Sequence, residues 1–226
     1  MQTMLIVLEG LDGAGKSTQI KMLKSYIFSK NMKIKYLHFP RYDAPVWGEL
    51  IAKFLSGDFG TIDQVHPQLV ALLYALDRAD AGGVIRAWMQ ADFCVLLDRY
   101  VYSNIAYQCS KLKKEDEKLA LREWILKLEY EHYKIPRPDI NIFLDVPINF
   151  VDAKLKADRN GGDRDYLHGK QDIHEENIDF QKGVREIYLK ETGEDKDFTR
   201  VDCSGADGLM LPSDAIFEKI KKVLKF

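Results

Sequence analysis

Apolar residues along this chain fall into two patterns: short unbroken or alternating runs, and longer stretches in which they recur every three or four positions. The first run, Met4-Leu5-Ile6-Val7-Leu8, is wholly aliphatic and predicts a strand buried on both faces. Ile20, Leu23 and Ile27 then take helical spacing, so a helix follows. Lys33 to Phe39 alternates apolar with polar residues and predicts a second strand, closed by Pro40. Val46 to Leu55 predicts a helix stopped by Gly57, with Ser56 to Thr61 as a polar loop. Pro67 to Ala79 predicts a stronger helix, with a proline near its start and Leu69, Leu72, Leu73 and Leu76 as its apolar stripe. Gly82-Gly83 is expected to interrupt or bend it before Val84 to Ala91.

The same alternation continues beyond. Phe93 to Leu97 predicts a third buried strand, with Asp98-Arg99-Tyr100 at its end. Lys111 to Glu117 is charged and reads as a solvated loop. Leu119 to Tyr133 predicts a helix burying Leu121, Trp124, Ile125 and Leu128, ended by Pro136 and Pro138. Ile140 to Leu144 predicts a fourth strand with Asp145 at its tip, and Phe150 to Ala157 a further helix. Residues 158–165, Asp-Arg-Asn-Gly-Gly-Asp-Arg-Asp, are polar and carry paired glycines; they are expected to be exposed and to form a closing lid at about 158–172. Ile173 to Glu191 predicts a long helix, and Phe198 to Val201 is short but a candidate fifth strand. Ser213 is expected to cap a last helix with Ile216, Phe217, Ile220, Val223 and Leu224 on one face. Strands alternating with helices predict one α/β domain over residues 1–226: a three-layer α/β/α sandwich around a mostly parallel, five-stranded sheet.

Composition narrows the function classes. Lys and Arg number 33 against 35 Asp and Glu, a formal net charge of -2, so the basic excess of a polynucleotide-binding domain is missing. Cys94, Cys109 and Cys203 show no metal-binding spacing and are odd in number, which suits reduced thiols better than disulfides or zinc. No run approaches the length of a membrane span, and a first strand at Met4 leaves no room for a leader; a soluble, cytoplasmic protein is expected.

Chemistry enters at Glu9 to Thr18. Gly10, four residues and Gly15-Lys16-Ser17 fit the phosphate-loop pattern, placed between a predicted strand and a predicted helix as the P-loop NTPase type requires. Gly10, Gly13, Ala14, Gly15, Lys16, Ser17 and Thr18 are the candidate triphosphate contacts. Lys16 would reach the β- and γ-phosphates and Ser17 would ligate magnesium. Asp98, closing an aliphatic strand, stands where a second magnesium-associated carboxylate belongs; alone, it would read as a surface turn acid. A phosphate loop does not name a function. The N-K-x-D of a GTP switch is missing, while Arg41, Arg78 and Arg99 all follow segments that should end near the loop and are candidates for a pocket holding an anionic acceptor.

Four segments together resemble the thymidylate kinases: E-G-L-D-G-A-G-K-S-T-Q at 9–19, F-P-R-Y at 39–42, L-Y-A-L-D-R at 73–78 and D-R-Y-V-Y-S-N-I-A-Y-Q at 98–108. The resemblance extends through D-I-H-E at 172–175 and covers about residues 4–190. It implies transfer of the γ-phosphate of Mg-ATP to dTMP. By this likeness Arg99 would grip the acceptor monophosphate with Tyr42 assisting, and Tyr74 would stack on thymine beside Phe39. Arg78 would donate to a thymine carbonyl or to phosphate, while Asn104, Tyr107 and Gln108 would read the base edge and crowd the 2' position. Asp12 would face the acceptor's 3'-hydroxyl or magnesium. Some family members carry an arginine where this chain has Gly13; here the resemblance assigns that cation to the lid, to Arg159 or Arg164, with Asp172 and Glu175 orienting an arginine or a metal. Homodimers are common in the family, and the helices at 46–55 and 67–79 could supply an interface. Another nucleotide or nucleoside kinase, or a nucleotide-dependent binding module, is the alternative reading.

Overall fold

Five parallel strands form the centre of the molecule, which a computed structural model describes for residues 3–157 and 178–224. They are β1 (Leu5–Gly10), β2 (Lys33–His38), β3 (Phe93–Asp98), β4 (Ile140–Asp145) and β5 (Phe198–Asp202), in the order β2-β3-β1-β4-β5. The aliphatic run of β1 takes the central place, and all of β1 is buried. The parallel pairing is complete rather than partial, and the short fifth strand is real: Asn141 to Asp145 pair with Phe198 to Asp202. Helices α1 (Lys16–Ser29) and α8 (Ser213–Val223) pack together on one side. On the other, α3 (Pro67–Gln90), α4 (Val101–Cys109) and α7 (Ile178–Glu194) contact β3, β1 and β4. Helices α2 (Trp47–Leu55), α5 (Glu115–Leu126) and α6 (Ile148–Ala157) complete the set.

Several elements differ from the pattern-based expectation. Gly82-Gly83 does not interrupt α3, which runs unbroken to Gln90. Glycine costs about 1 kcal/mol in a helix. Burial of Gly82, where an added Cβ would lie 3.5 Å from Ile135, offsets that cost. The buried face of α3 is also not the leucine stripe: Val70, Ala71, Ala75 and Ile85 are buried, while Leu69 is 63% exposed and Leu72, Leu73 and Leu76 are half-buried. The charged segment 111–117 is not wholly loop, because α5 starts at Glu115, and Glu115, Asp116 and Glu117 in its first turn complement the helix dipole. That helix ends at Leu126 and gives way to a π-helical turn, Lys127–His132, which turns Glu129 into the interior. Ser213 is the first residue of α8 rather than its cap; Pro212 holds the cap position. The predicted lid, and residues 173–177 of the predicted long helix, lie outside the described residues.

Topology positions the site. The chain leaves β1 for β2 on one flank and later passes to β4 on the other, so the carboxyl ends of β1, β3 and β4 open around one crevice. In such sheets ligands bind there. Register brings Leu8 opposite Asp98 and Gly10 opposite Leu144, which sets the phosphate loop between both neighbours. A satellite core of Ile51, Phe54, Leu55 and Val70 lies between α2 and α3 and backs Tyr42 and Tyr74.

Candidate active site

The phosphate loop turns on two residues that need positive φ, Gly13 (70°) and Gly15 (76°). Gly13 also approaches α6, since a Cβ there would lie 3.0 Å from the Cβ of Lys154. Lys16, the first residue of α1, folds back over the loop and donates from Nζ to the carbonyls of Leu11 (2.9 Å) and Gly10 (3.3 Å). Burial, reinforced by the Arg99 charge, lowers its pKa to about 8. Gly13, Ala14, Gly15, Ser17 and Thr18 line one groove, walled by Phe150 and Lys154 and, from beyond β5, by Met210 and Leu211. None of these last four stood out in the sequence, because each belongs to a segment without a motif.

Against the other side of the loop lies a second cleft. Asp12, Phe39, Tyr42, Tyr74 and Arg78 line it from the loop, the end of β2 and α3. Arg99, Asn104, Tyr107 and Gln108 line it from the end of β3 and from α4. All nine residues that the family resemblance assigns to the acceptor therefore reach one cleft, together with Pro40, Leu55 and Ser103. Arg41 does not line it. Its guanidinium is held by Asp77 (2.8 Å) and Asp80 (2.6 Å), which leaves it clasping α3. The lid candidates Arg159 and Arg164, and Asp172 and Glu175, lie outside the described residues.

Arg99 is the junction between the halves. It holds a left-handed φ of 66°, a strained value for a side chain of this size, and its amide donates to the Leu8 carbonyl of the central strand. Nη2 donates to Asp12 Oδ1 at 2.6 Å and to the Tyr107 hydroxyl at 3.3 Å, and Nη1 donates to Ser103 Oγ at 3.2 Å. Tyr107 in turn donates its hydroxyl to Asp12 Oδ2 (2.7 Å), and burial pushes its pKa well above the ordinary value, so it remains a donor. Gln181 of α7 adds a third donor to Asp12, at 3.2 Å.

Glu9, quoted in the motif but given no role there, anchors this arrangement. Its buried Oε1 accepts the amides of Tyr100 (2.9 Å) and Ser103 (3.2 Å), free N–H groups at the start of α4. Its Oε2 accepts the hydroxyls of Ser103 (2.5 Å) and Tyr188 (3.0 Å). Burial raises the Glu9 pKa against these hydrogen bonds. The signal was present in the sequence, a carboxylate ending an aliphatic strand, but its partners are about ninety residues or more away.

Asp98 ends β3 with Oδ2 3.2 Å from His38 Nδ1, while its buried Oδ1 has no hydrogen-bond partner among the described residues. Burial pushes this carboxyl upward, but the His38 hydrogen bond and the Lys16 charge outweigh it, and the group titrates below the ordinary range. Ionised, with one oxygen unclaimed among the described residues and the loop lysine's charge nearby, Asp98 has the chemistry of a hard-cation ligand. Among the described residues no cluster of three His, Cys, Asp or Glu is set to hold a metal, so such an ion would take its other ligands from phosphate and water.

A family model described as thymidylate kinase matches residues 8–206. The thymidylate kinase of Mycobacterium tuberculosis is 32% identical over 188 residues, 83% of this chain and 85% of the relative. A probable thymidylate kinase of Methanosphaera stadtmanae is 32% identical over 223 residues, 98% of this chain and 100% of the relative. Among solved structures, thymidylate kinase from Candida albicans superposes with a TM-score of 0.72 at 26% identity, covering 98% of this chain and 91% of that one. A matching family model over most of the chain, relatives of equal length and a shared fold lead to one conclusion: the chain belongs to the thymidylate kinase family.

Proposed function

We propose that the two clefts divide the family's reaction, transfer of the γ-phosphate of ATP to dTMP to give dTDP and ADP, with the phosphate-loop groove as donor site and the Arg99 cleft as acceptor site. The observation that carries this reading is that nine acceptor-side candidates from four separated stretches of chain line one cleft, which adjoins the loop through Asp12. The loop amides and Lys16 hold the β- and γ-phosphates. Arg99 grips the acceptor phosphate with its planar fork, at the price of its present bond to Asp12, which then meets the 3'-hydroxyl. Phe39 and Tyr74 enclose the base, Tyr42 assists at the phosphate, and Asn104, Tyr107 and Gln108 face the base edge and the sugar's 2' position. The acceptor oxygen is already a nucleophile, so catalysis is alignment, charge neutralisation and exclusion of water. Magnesium, held by Ser17 and Asp98, supplies charge neutralisation at the phosphates.

The predicted lid at about 158–172 supplies the transferring phosphoryl group with a cation from Arg159 or Arg164, with Asp172 and Glu175 orienting it. Supporting this, the two helices that flank the segment both reach the loop, α6 through Lys154 at Gly13 and α7 through Gln181 at Asp12. A side chain at Gly13 would have to hold a positive φ and push Lys154 aside by a few tenths of an ångström, which disfavours an arginine in the loop itself. The rest is read as one domain. A homodimer is proposed, supported by the incompletely buried stripe of Leu69, Leu72 and Leu76. A cytoplasmic site is proposed from three buried free thiols; no described helix is long and apolar enough to cross a membrane.

ADP release measured with dTMP, dUMP, thymidine, dGMP and CMP tests the assignment. dTMP should be the best acceptor, with dUMP behind it by a modest factor, since a methyl group contributes only about 1 to 3 kcal/mol. Lys16→Ala and Arg99→Ala should each cut turnover by orders of magnitude without loss of fold. Near-normal turnover in either variant removes that residue from the mechanism.

A further inference from the structure

Glu129 is fully buried at the back of the acceptor cleft, on the π-helical turn, and has no part in the chemistry above. Its carboxylate faces Arg78 side-on, with Oε2 2.5 Å from Nε and Oε1 2.6 Å from Nη2. Oε1 also accepts from Asn104 Nδ2 at 3.0 Å, and the same nitrogen donates to the Ala71 carbonyl at 3.0 Å. Both neighbours of that nitrogen are pure acceptors. An asparagine amide has two possible orientations, normally chosen from the surrounding hydrogen bonds, and here only one satisfies both acceptors. Oδ1 is then the atom left over, and it is buried without a hydrogen-bond partner among the described residues. Arg78, with Nε and Nη2 taken by Glu129, keeps Nη1 for the cleft.

We propose that Glu129 is a specificity-determining positioning residue: by holding Arg78 and Asn104 together, it sets the cleft wall as a donor beside an acceptor. That pair matches the imide edge of a pyrimidine, a carbonyl beside an N–H, and opposes the edge of an aminopyrimidine, an NH2 beside a bare ring nitrogen. The proposal rests on the reading of this cleft as the dTMP site. A cytosine edge would meet donor with donor at Arg78 and lone pair with lone pair at Asn104, leaving buried polar groups unpaired, the situation by which binding sites reject analogues most strongly. The Ala71 carbonyl also holds the Asn104 amide in this orientation, so what position 129 alone supplies is a carboxylate that accepts from Arg78 and Asn104 at once. A glutamine there has one acceptor oxygen and one donor nitrogen, so it sets a donor against either Arg78 or Asn104 and no longer holds the pair in place.

The experiment compares kcat/KM for dTMP, dUMP and dCMP in the wild-type protein, Glu129→Gln and Glu129→Asp. The wild type should favour both imides over dCMP. Glu129→Gln should lower the dTMP-to-dCMP ratio at least about tenfold, because Arg78 and Asn104 are no longer held in place together. Glu129→Asp, still acceptor-only, should hold that ratio within about threefold of the wild type. A purely structural role would depress all three acceptors in proportion, and an unchanged ratio in Glu129→Gln overturns the proposal. Because breaking a buried ion pair can prevent folding, hydrogen exchange of the Asn104 side-chain amide in the wild-type protein gives a second measurement. Slow exchange is expected from an NH2 group bonded to two buried acceptors, and free exchange overturns the proposal. A wild-type protein that phosphorylates none of the three acceptors overturns the dTMP reading, and this inference with it.

Discussion

Burial decides how Lys16 behaves. Folded back onto two loop carbonyls beside Arg99, it titrates at about 8 instead of its ordinary 10.5. Between those values the native state binds fewer protons than the unfolded chain, so this residue's contribution makes stability rise with pH across the window, and its burial penalty is fully present below it. ATP supplies the missing counter-charge and draws the proton back. ATP affinity should therefore be flat below pH 8 and weaken above it, by up to about tenfold per pH unit. Titration calorimetry at a series of pH values checks this, and Lys16→Met should abolish the slope; a wild-type slope equal to that of the variant would assign the effect elsewhere. Asp98 shows the converse balance, for its charged neighbours overcome burial and keep it ionised, as a cation ligand must be.

At the scale of elements, close approach matters more than propensity. The start of α2 packs so tightly on the Arg41–Tyr42 turn that a Cβ on Gly48 would lie 2.4 Å from the Tyr42 carbonyl oxygen and 2.6 Å from that of Arg41. Both obstacles are backbone, so one element must move. Gly48→Ala should lower the thermal unfolding midpoint by about 2 to 10 °C and shift Tyr42 in the cleft. KM for dTMP should rise while KM for ATP stays level, a split readable from initial rates; equal effects on both would show a general loss of fold instead. The start of α4 depends likewise on a distant strand. Glu9 caps it, and so the phosphate loop, Arg99 and the cleft-lining face of α4 are set by one carboxylate.

Across the whole molecule, the leucine stripe of α3 separates folding from assembly. Leu69 contributes little to the interior, being 63% exposed, yet lies in line with Leu72 and Leu76 on a regular helix. Apolar rows left open on a folded surface mark interfaces. Sedimentation velocity should find twice the chain mass for the wild-type protein and a folded monomer for Leu69→Asp. A wild-type monomer at micromolar concentration would remove the dimer from the proposal. Asp145, at the end of β4, carries Arg185 of α7 at 2.6 Å and Arg200 of β5 at 2.7 Å, tying the far edge of the sheet to the helix that supplies Gln181.

The sequence alone determined the strands, the sandwich and the phosphate loop, because each depends on local periodicity or on a run whose spacing is itself the chemistry; the nine residues that share the second cleft were named by the resemblance of four short segments to a known family. Met4 to Leu8 reads as a buried strand, which in the structure extends to Gly10 and into the loop motif, and Gly13 and Gly15 take the positive φ expected of loop glycines. Tertiary structure decided what depends on partners distant in the chain. Gly82 stays helical in a buried position, Arg41 is claimed by α3 rather than by the cleft, and the leucines of α3 are exposed or half-buried while Ala71, Ala75 and Ala81 are buried. Glu9 stands in the loop motif without a role there and Glu129 in no motif at all; one became a helix cap and the other the anchor of Arg78 and Asn104 only when folding removed water from around them. A buried carboxylate must find donors wherever the fold provides them, and no spacing rule records where that will be.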